Sequence, residues 1–184
     1  MSSLETLLRL LPLERLPRTG WILAGISAPE TVAAHSLGTA FVVLALAPRV
    51  LPPLDVDRAV ALAVVHDAPE AETGDLPPGV SSRLPRGAKE ALEAEWAREL
   101  LAPLSEPALE RYQEVRAGRT REARFTRICD TLQLGVRLVG YVRAGARGLD
   151  PFHTRLAALV CEEFPPCEEL RREILAALRE IPSA

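Results

Sequence analysis

Apolar residues recur along this chain at three- and four-residue steps, and no convincing run of alternating β-branched residues interrupts them, so the pattern predicts an all-α fold. Leu4, Leu7, Leu8 and Leu11 mark one side of a short packing helix limited by Pro12 and Pro17. Ser27-Ala28-Pro29-Glu30 has the form of a capping box with an early proline, which predicts a helix from there to about Ala47. Val32, Ala33, Leu37, Ala40, Phe41, Leu44 and Ala45 make that helix largely buried and put His35 close to the interior. Asp55 can cap a third, central helix, apolar nearly all round, which ends at His66-Asp67 because Pro69 disfavours helical geometry at Ala68. Further on, Leu92, Trp96 and Leu100 point inward from a helix over 88–102, and a shorter one covers 106–116. A long helix opens at Thr120 and runs to about Gly145, with Phe125, Ile128, Leu132, Val136 and Val139 as its buried stripe and Asp130 bordering it. Two amphipathic helices, over 154–164 and 167–179, close the chain.

The 184 residues suffice for one core of ordinary size, so a single domain over 1–184 is expected. Hydrophobic residues at 48% beside 26% charged ones indicate a globular chain, and no apolar run reaches the ~20 residues of a membrane span. No membrane partner is expected. The first residues lack a signal-peptide pattern, and Cys129, Cys161 and Cys167 form neither an even disulfide set nor a Cys-x-x-Cys pair. Both features predict a cytoplasmic protein with free thiols. A net charge of −3 provides no broad basic field, which argues against polymeric nucleic acid as a partner and leaves a nucleotide possible.

The densest chemistry lies in Val64-Val65-His66-Asp67-Ala68-Pro69-Glu70-Ala71-Glu72-Thr73-Gly74-Asp75, where an apolar stretch delivers an imidazole and several carboxylates within a few residues. Such a cluster calls for a cation. His35 upstream and Asp130 downstream make a metal ion the natural candidate, although a lone buried histidine is more often a core residue, and a lone aspartate more often solvated. In Leu16-Pro17-Arg18-Thr19-Gly20-Trp21, arginine offers a planar fork for phosphate and tryptophan a flat face for a base or sugar. Thr73-Gly74-Asp75-Leu76-Pro77-Pro78-Gly79 is a turn followed by a rigid loop, suited to a pocket wall. His153 is assigned to a turn and given no role.

Taken in order, a histidine, then His-Asp at a helix end, then an aspartate in a later long helix resembles the HD-domain metal-dependent phosphohydrolases. The strings Pro17-Arg18-Thr19-Gly20-Trp21, Val32-Ala33-Ala34-His35-Ser36, His66-Asp67-Ala68-Pro69-Glu70, Thr73-Gly74-Asp75-Leu76-Pro77 and the Glu122 to Asp130 segment are similar to the 5′-deoxynucleotidase branch. The resemblance covers about 18–145 and leaves open whether the helices over 151–181 pack on this core or on a partner. It implies a helical bundle with a metal site between helices, in which His35, His66, Asp67 and Asp130 ligate one divalent ion, manganese, cobalt, iron or zinc. It further implies Glu70 as the proton-taking carboxylate, Arg18 as the phosphate-orienting cation, and Asp75, Leu76, Pro77 and Pro78 around the sugar. Trp21, Asp67 and Asp130 complete the substrate-contacting set, and a homodimer is the family expectation. The chain departs from these relatives at Ala34, where many have a glutamate, at Pro69, where the bacterial enzymes have a small polar residue, and in the two residues separating Arg18 from Trp21.

The leading expectation is therefore an enzyme that removes phosphate from deoxyribonucleoside 5′-monophosphates. Two alternatives stand beside it: the same site acting on another small phosphoester or signalling nucleotide, and a helical nucleotide-binding protein without turnover. A substrate panel separates the first two, and nucleotide binding without phosphate release identifies the third.

Overall fold

Side-chain caps set where several of the helices begin. The computed structural model describes residues 2–180. Ser2 closes a capping box with Glu5 at the start of α1 (Ser3–Leu10), and the one-turn α2 (Thr19–Leu23) follows a 3-10 turn. Thr31 accepts the Ala34 N–H to open α3 (Val32–Leu46), and Asp55 accepts the Arg58 N–H to open α4 (Val56–Val65). Two short pieces, α5 (Glu70–Thr73) and α6 (Pro78–Ser81), lead into α7 (Ala88–Leu101). Ser105 caps α8 (Glu106–Ala117) and Thr120 caps α9 (Arg121–Arg143); α10 (Asp150–Ala157) and α11 (Pro165–Arg179) complete the order. Among the described residues there is no strand, only an isolated antiparallel bridge between Pro17 and Thr31. The all-α expectation holds.

Helices α3, α4 and α9 pack on one another as the centre of the bundle, and α10 and α11 lie against α9. The main core joins Val43 and Leu46 of α3, Ala59 and Ala63 of α4, Phe125 and Leu132 of α9, and Leu156, Phe164 and Ile174 from the C-terminal segment. The last helices thus pack on their own chain. Phe125 and Phe164 meet edge-on at 5.2 Å between centroids, each burial favouring the fold by about 1.5–3 kcal/mol. Gly135 lets α10 and α11 approach α9 closely: a Cβ there would stand 3.0 Å from both Leu156 methyl groups and 3.3 Å from Ile174 Cδ1. A second, smaller core forms between α7 and α8 around Leu100, Leu101, Leu109 and Tyr112. Because α3, α4 and α9 share one centre, any polar residue each turns toward the common axis must meet the others.

Five expectations need correction. The helix expected over 154–164 runs instead from Asp150 to Ala157, with Pro151 in its first turn, so His153 lies inside a helix and not in a turn. The second helix begins at Thr31, not Ser27, since the Pro17 to Thr31 bridge keeps residues 27–30 extended or bent. The stripe of Leu4, Leu7 and Leu8 is exposed, as are Leu37, Phe41 and Leu44 on α3 and Val136 on α9. Periodicity identified these apolar faces but not what covers them. On α7, Leu92 is exposed and Glu93 buried, because the salt bridges from Lys89 and Arg116 make the carboxylate tolerable inside. Val32–Arg49 has the length and composition of a membrane span, in contrast to the expectation from apolar run length. Here it is the central helical segment and carries His35.

Candidate metal centre

Three chain segments deliver four ionisable side chains to one point. The bridge before α3 fixes its start: the Arg18 N–H donates to the Glu30 carbonyl at 2.9 Å, and the Val32 N–H to the Leu16 carbonyl at 2.9 Å. This sets Arg18 beside the helix that carries His35, one turn in and fully buried. Helix α4 stops at Val65, and His66, in its C-cap position, donates Nδ1–H to the Ala63 carbonyl at 2.8 Å. That bond satisfies a carbonyl near the helix end and leaves His66 Nε2 pointing into the bundle. Asp67 follows in the turn, and Asp130 comes from the middle of α9.

The donor atoms of His35, His66 and Asp130 lie within 4.8 Å of one another. Asp67 Oδ2 is 3.2 Å from His66 Nε2 and 3.7 Å from His35 Nε2, while Asp130 Oδ1 is 2.9 Å from His35 Nε2. Neither Nε2 has a hydrogen-bond partner, although both are buried. Two orphaned imidazole nitrogens facing two carboxylates fit a divalent ion of borderline hardness. The electrostatics make the same demand. Burial pushes the Asp67 and Asp130 carboxyls up, yet the surrounding cations win, holding Asp67 well below the carboxylate range and Asp130 at about 2. Burial would lower His66, but Asp67 and Asp130 raise it to about 9, so without another cation the imidazole itself supplies the positive charge.

An HD-domain family model matches residues 12–159 of the chain. The chain belongs to the HD-domain family. It is 33% identical over 126 residues to the 5′-deoxynucleotidase HDDC2 of Bos taurus, covering 66% of this chain and 59% of that one. With the 5′-deoxynucleotidase HDDC2 of Homo sapiens it shares 31% over 137 residues, covering 72% of this chain and 65% of the other. These matches span less than two thirds of either relative's own length. Among solved structures, the PH0347 protein of Pyrococcus horikoshii OT3 superposes with a TM-score of 0.82 at 30% identity, covering 95% of this chain and 99% of that one.

Beside these four side chains, the HD-domain fold leaves a cleft of about 630 Å³. Arg18, Trp21, Glu70, Asp75, Leu76 and Pro77 all contribute to its walls, as do Asp67 and Asp130. The side chain of Pro78 lies outside the described residues. Arg18 donates to Asp67 Oδ2 at 3.0 Å; burial opposes its charge, but Asp67, Asp130, Asp75 and Glu70 together hold the guanidinium firmly protonated. Gly74, at φ 71°, turns the chain out of α5 in a conformation that favours glycine. Asp75 then accepts the Thr19 N–H at 2.6 Å, tying the second wall to the start of α2. Glu70 is 6% exposed and its Oε2 has no partner. Burial first, then Asp67 and Asp75, raise its carboxyl to about 9, against the pull of Arg18 and Lys89. A dication among the neighbouring carboxylates reverses the sign of that field. Trp21 is only 2% exposed: Phe152 stacks on one face at 3.9 Å between centroids, so the indole backs the wall and offers little open face to a ligand.

Several site residues escaped the sequence reading. Gln133 holds His35 Nδ1 at 2.6 Å, Glu30 is a buried hydrogen-bond hub, and Lys89, Arg116 and Phe152 line the cleft. Gln133 was accessible in principle, since it stands three residues after Asp130 and therefore shares its helix face. Lys89 and Arg116 carried no signal, because their place depends on the packing of α7 and α8.

Proposed function

We propose that this HD-domain protein hydrolyses deoxyribonucleoside 5′-monophosphates to the nucleoside and inorganic phosphate. The observation that carries the reading is the convergence of two partnerless buried imidazole nitrogens and two carboxylates beside a charged Arg18 and a Glu70 carboxyl with one free oxygen. The 5′-deoxynucleotidase names of the matched relatives support the substrate class. A divalent ion held by His35, His66, Asp67 and Asp130 supplies charge for the phosphoryl oxygens and lowers the pKa of water nearby. Arg18 orients the phosphate by paired N–H donation, and it is held ready for this by Asp67. Glu70 takes one proton from the attacking water as its oxygen bonds to phosphorus; the bond to the 5′ oxygen breaks, and Glu70 returns that proton to the leaving oxygen, which departs as the hydroxyl. Asp75, Leu76 and Pro77 form the wall assigned to the sugar, where discrimination at the 2′ carbon would arise.

The test is phosphate release from matched deoxy- and ribonucleoside 5′-monophosphates by protein stripped of metal and resupplied with manganese, cobalt, zinc or magnesium in turn. Metal-dependent release at least about 10-fold faster from the deoxy member is expected, a margin of about 1.4 kcal/mol. Equal rates would move the substrate to other phosphoesters. Nucleotide binding without release under any ion would replace hydrolysis by a binding role.

A homodimer is also proposed, supported by the apolar face shared by α3 and α9. Leu37, Phe41, Leu44 and Val136 are about half exposed or more, beside the small residues Gly38, Ala45 and Gly140. Bulky and small residues on one face can interlock with a second copy about a twofold axis. Light scattering is expected to give a dimer for the natural chain and a monomer for Phe41→Asp, whose buried charge weakens association by about 2 kcal/mol or more. The free, buried Cys129, Cys161 and Cys167 suit a cytoplasmic location.

A further inference from the structure

Glu30 carries a carboxylate at 6% exposure and takes no part in the chemistry above. Its oxygens accept three side-chain donors: Trp21 Nε1–H at 3.1 Å on Oε1, and Gln133 Nε2–H at 2.8 Å and Arg137 Nε–H at 3.0 Å on Oε2. Its own N–H donates to the Tyr141 hydroxyl at 2.7 Å. The partners Gln133, Arg137 and Tyr141 recur every four residues along α9, so one helix face is dedicated to holding this group.

We infer that Glu30 is a positioning residue: through Gln133 it dictates which ring nitrogen of His35 is free to bind metal, and with its other oxygen it fixes Trp21 behind the cleft wall. A carboxylate can only accept, so the Gln133 amide must turn its NH₂ toward Glu30. Its oxygen then faces His35 and accepts from Nδ1–H at 2.6 Å. The proton is thereby kept on Nδ1, and Nε2 keeps its lone pair toward Asp130 and Asp67. The opposite amide orientation would set two oxygens against each other. Gln133 cannot escape sideways either. Gly38 of α3 lies close against it: a Cβ there would lie 2.8 Å from Gln133 Nε2 and 2.9 Å from its Cγ. Arg137, ion-paired to Glu30 from a part-exposed position, offsets the cost of burying the carboxylate.

The inference rests on His35 being a metal ligand, and its test keeps the two ideas apart. Manganese(II) is titrated calorimetrically into metal-stripped protein. In Glu30→Gln the amide oxygen stays with the buried Trp21 N–H, which cannot turn to solvent, and its NH₂ replaces the acceptor shared by Gln133 and Arg137; the part-exposed Arg137 swings out to water, and Gln133 must flip and put its NH₂ on His35 Nδ1. The His35 proton is then driven to Nε2, and manganese affinity is expected to fall about 10- to 100-fold, with the thermal midpoint of the metal-free protein recorded alongside. Gly38→Ala is expected to weaken manganese binding as well, although alanine favours a helix over glycine. Glu30→Gln combined with Gln133→Glu restores an acceptor at His35 Nδ1, with only the bond between positions 30 and 133 reversed in direction, and is expected to recover most of the affinity. Should Glu30→Gln not fold, Gly38→Ala and the double variant carry the test. Unchanged affinity in Glu30→Gln, or no recovery in the double variant, overturns the inference while leaving the metal centre intact. Failure of the natural protein to bind manganese at all, with His35→Ala making no difference, overturns the metal centre and this inference with it.

Discussion

His66→Ala and Asp67→Asn are each expected to lower metal-dependent phosphate release to about one-thousandth or less, together with loss of manganese binding. Both replacements strike the point where α4 ends. His66 contributes an Nε2 that nothing else in the protein occupies, and its orientation is fixed by the Nδ1 bond to Ala63. Asp67 contributes an oxygen that lies against both imidazoles and against Arg18. Without the ion, the attacking water loses the pKa lowering that makes hydroxide available near neutrality, a change of several orders of magnitude in nucleophile concentration. Asp67→Asn keeps the size of the side chain, so any loss is of charge and ligation. The check pairs the rate of phosphate release with a manganese titration of the same preparation and a thermal melt. Full activity in either variant, with the fold intact, would remove the metal centre from the mechanism.

Much of this arrangement was legible in the sequence, and what was not has a physical reason. Asp55 and the long amphipathic helix after Thr120 were readable because capping and three- to four-residue periodicity are local. The misplaced start of α3 came from a local signal too: Ser27 to Glu30 satisfies the spacing of a capping box, but tertiary pairing of Pro17 with Thr31 moves the start four residues on. Glu30, released from that capping role, becomes the buried acceptor for Trp21, Gln133 and Arg137. Nothing in its immediate neighbours distinguishes the two fates, since the deciding partners lie about a hundred positions away on α9. The exposed stripes of α1 and α3 make the complementary point. Amphipathic spacing says that a face is apolar, while burial depends on what the rest of the fold, or a second copy, brings to it. His35, His66, Asp67 and Asp130 were singled out by their order along the chain, and their convergence follows from the mutual packing of α3, α4 and α9.

Glu70→Gln is expected to lower kcat for phosphate release by about 10²- to 10⁴-fold, while manganese affinity stays within about threefold of the natural protein. The distinction follows from position. Glu70 opens the one-turn α5, three residues beyond Asp67, and its N–H donates to the Asp67 carbonyl at 3.0 Å, so the backbone that places Asp67 also places Glu70. Its side chain is outside the cluster of converging donor atoms yet lines the same cleft, with one buried oxygen unclaimed by any protein donor. A buried acceptor left without a partner costs stability, on the order of 1–3 kcal/mol, and persists where a water or substrate group can use it. Glutamine preserves the length and shape but cannot take a proton, so the loss measures proton transfer and not packing. Single-turnover phosphate release, followed alongside substrate binding to the manganese-loaded variant, separates the chemical step from binding. An unaltered single-turnover rate would exclude Glu70 as the base. A parallel collapse of manganese affinity would make it part of the metal site instead.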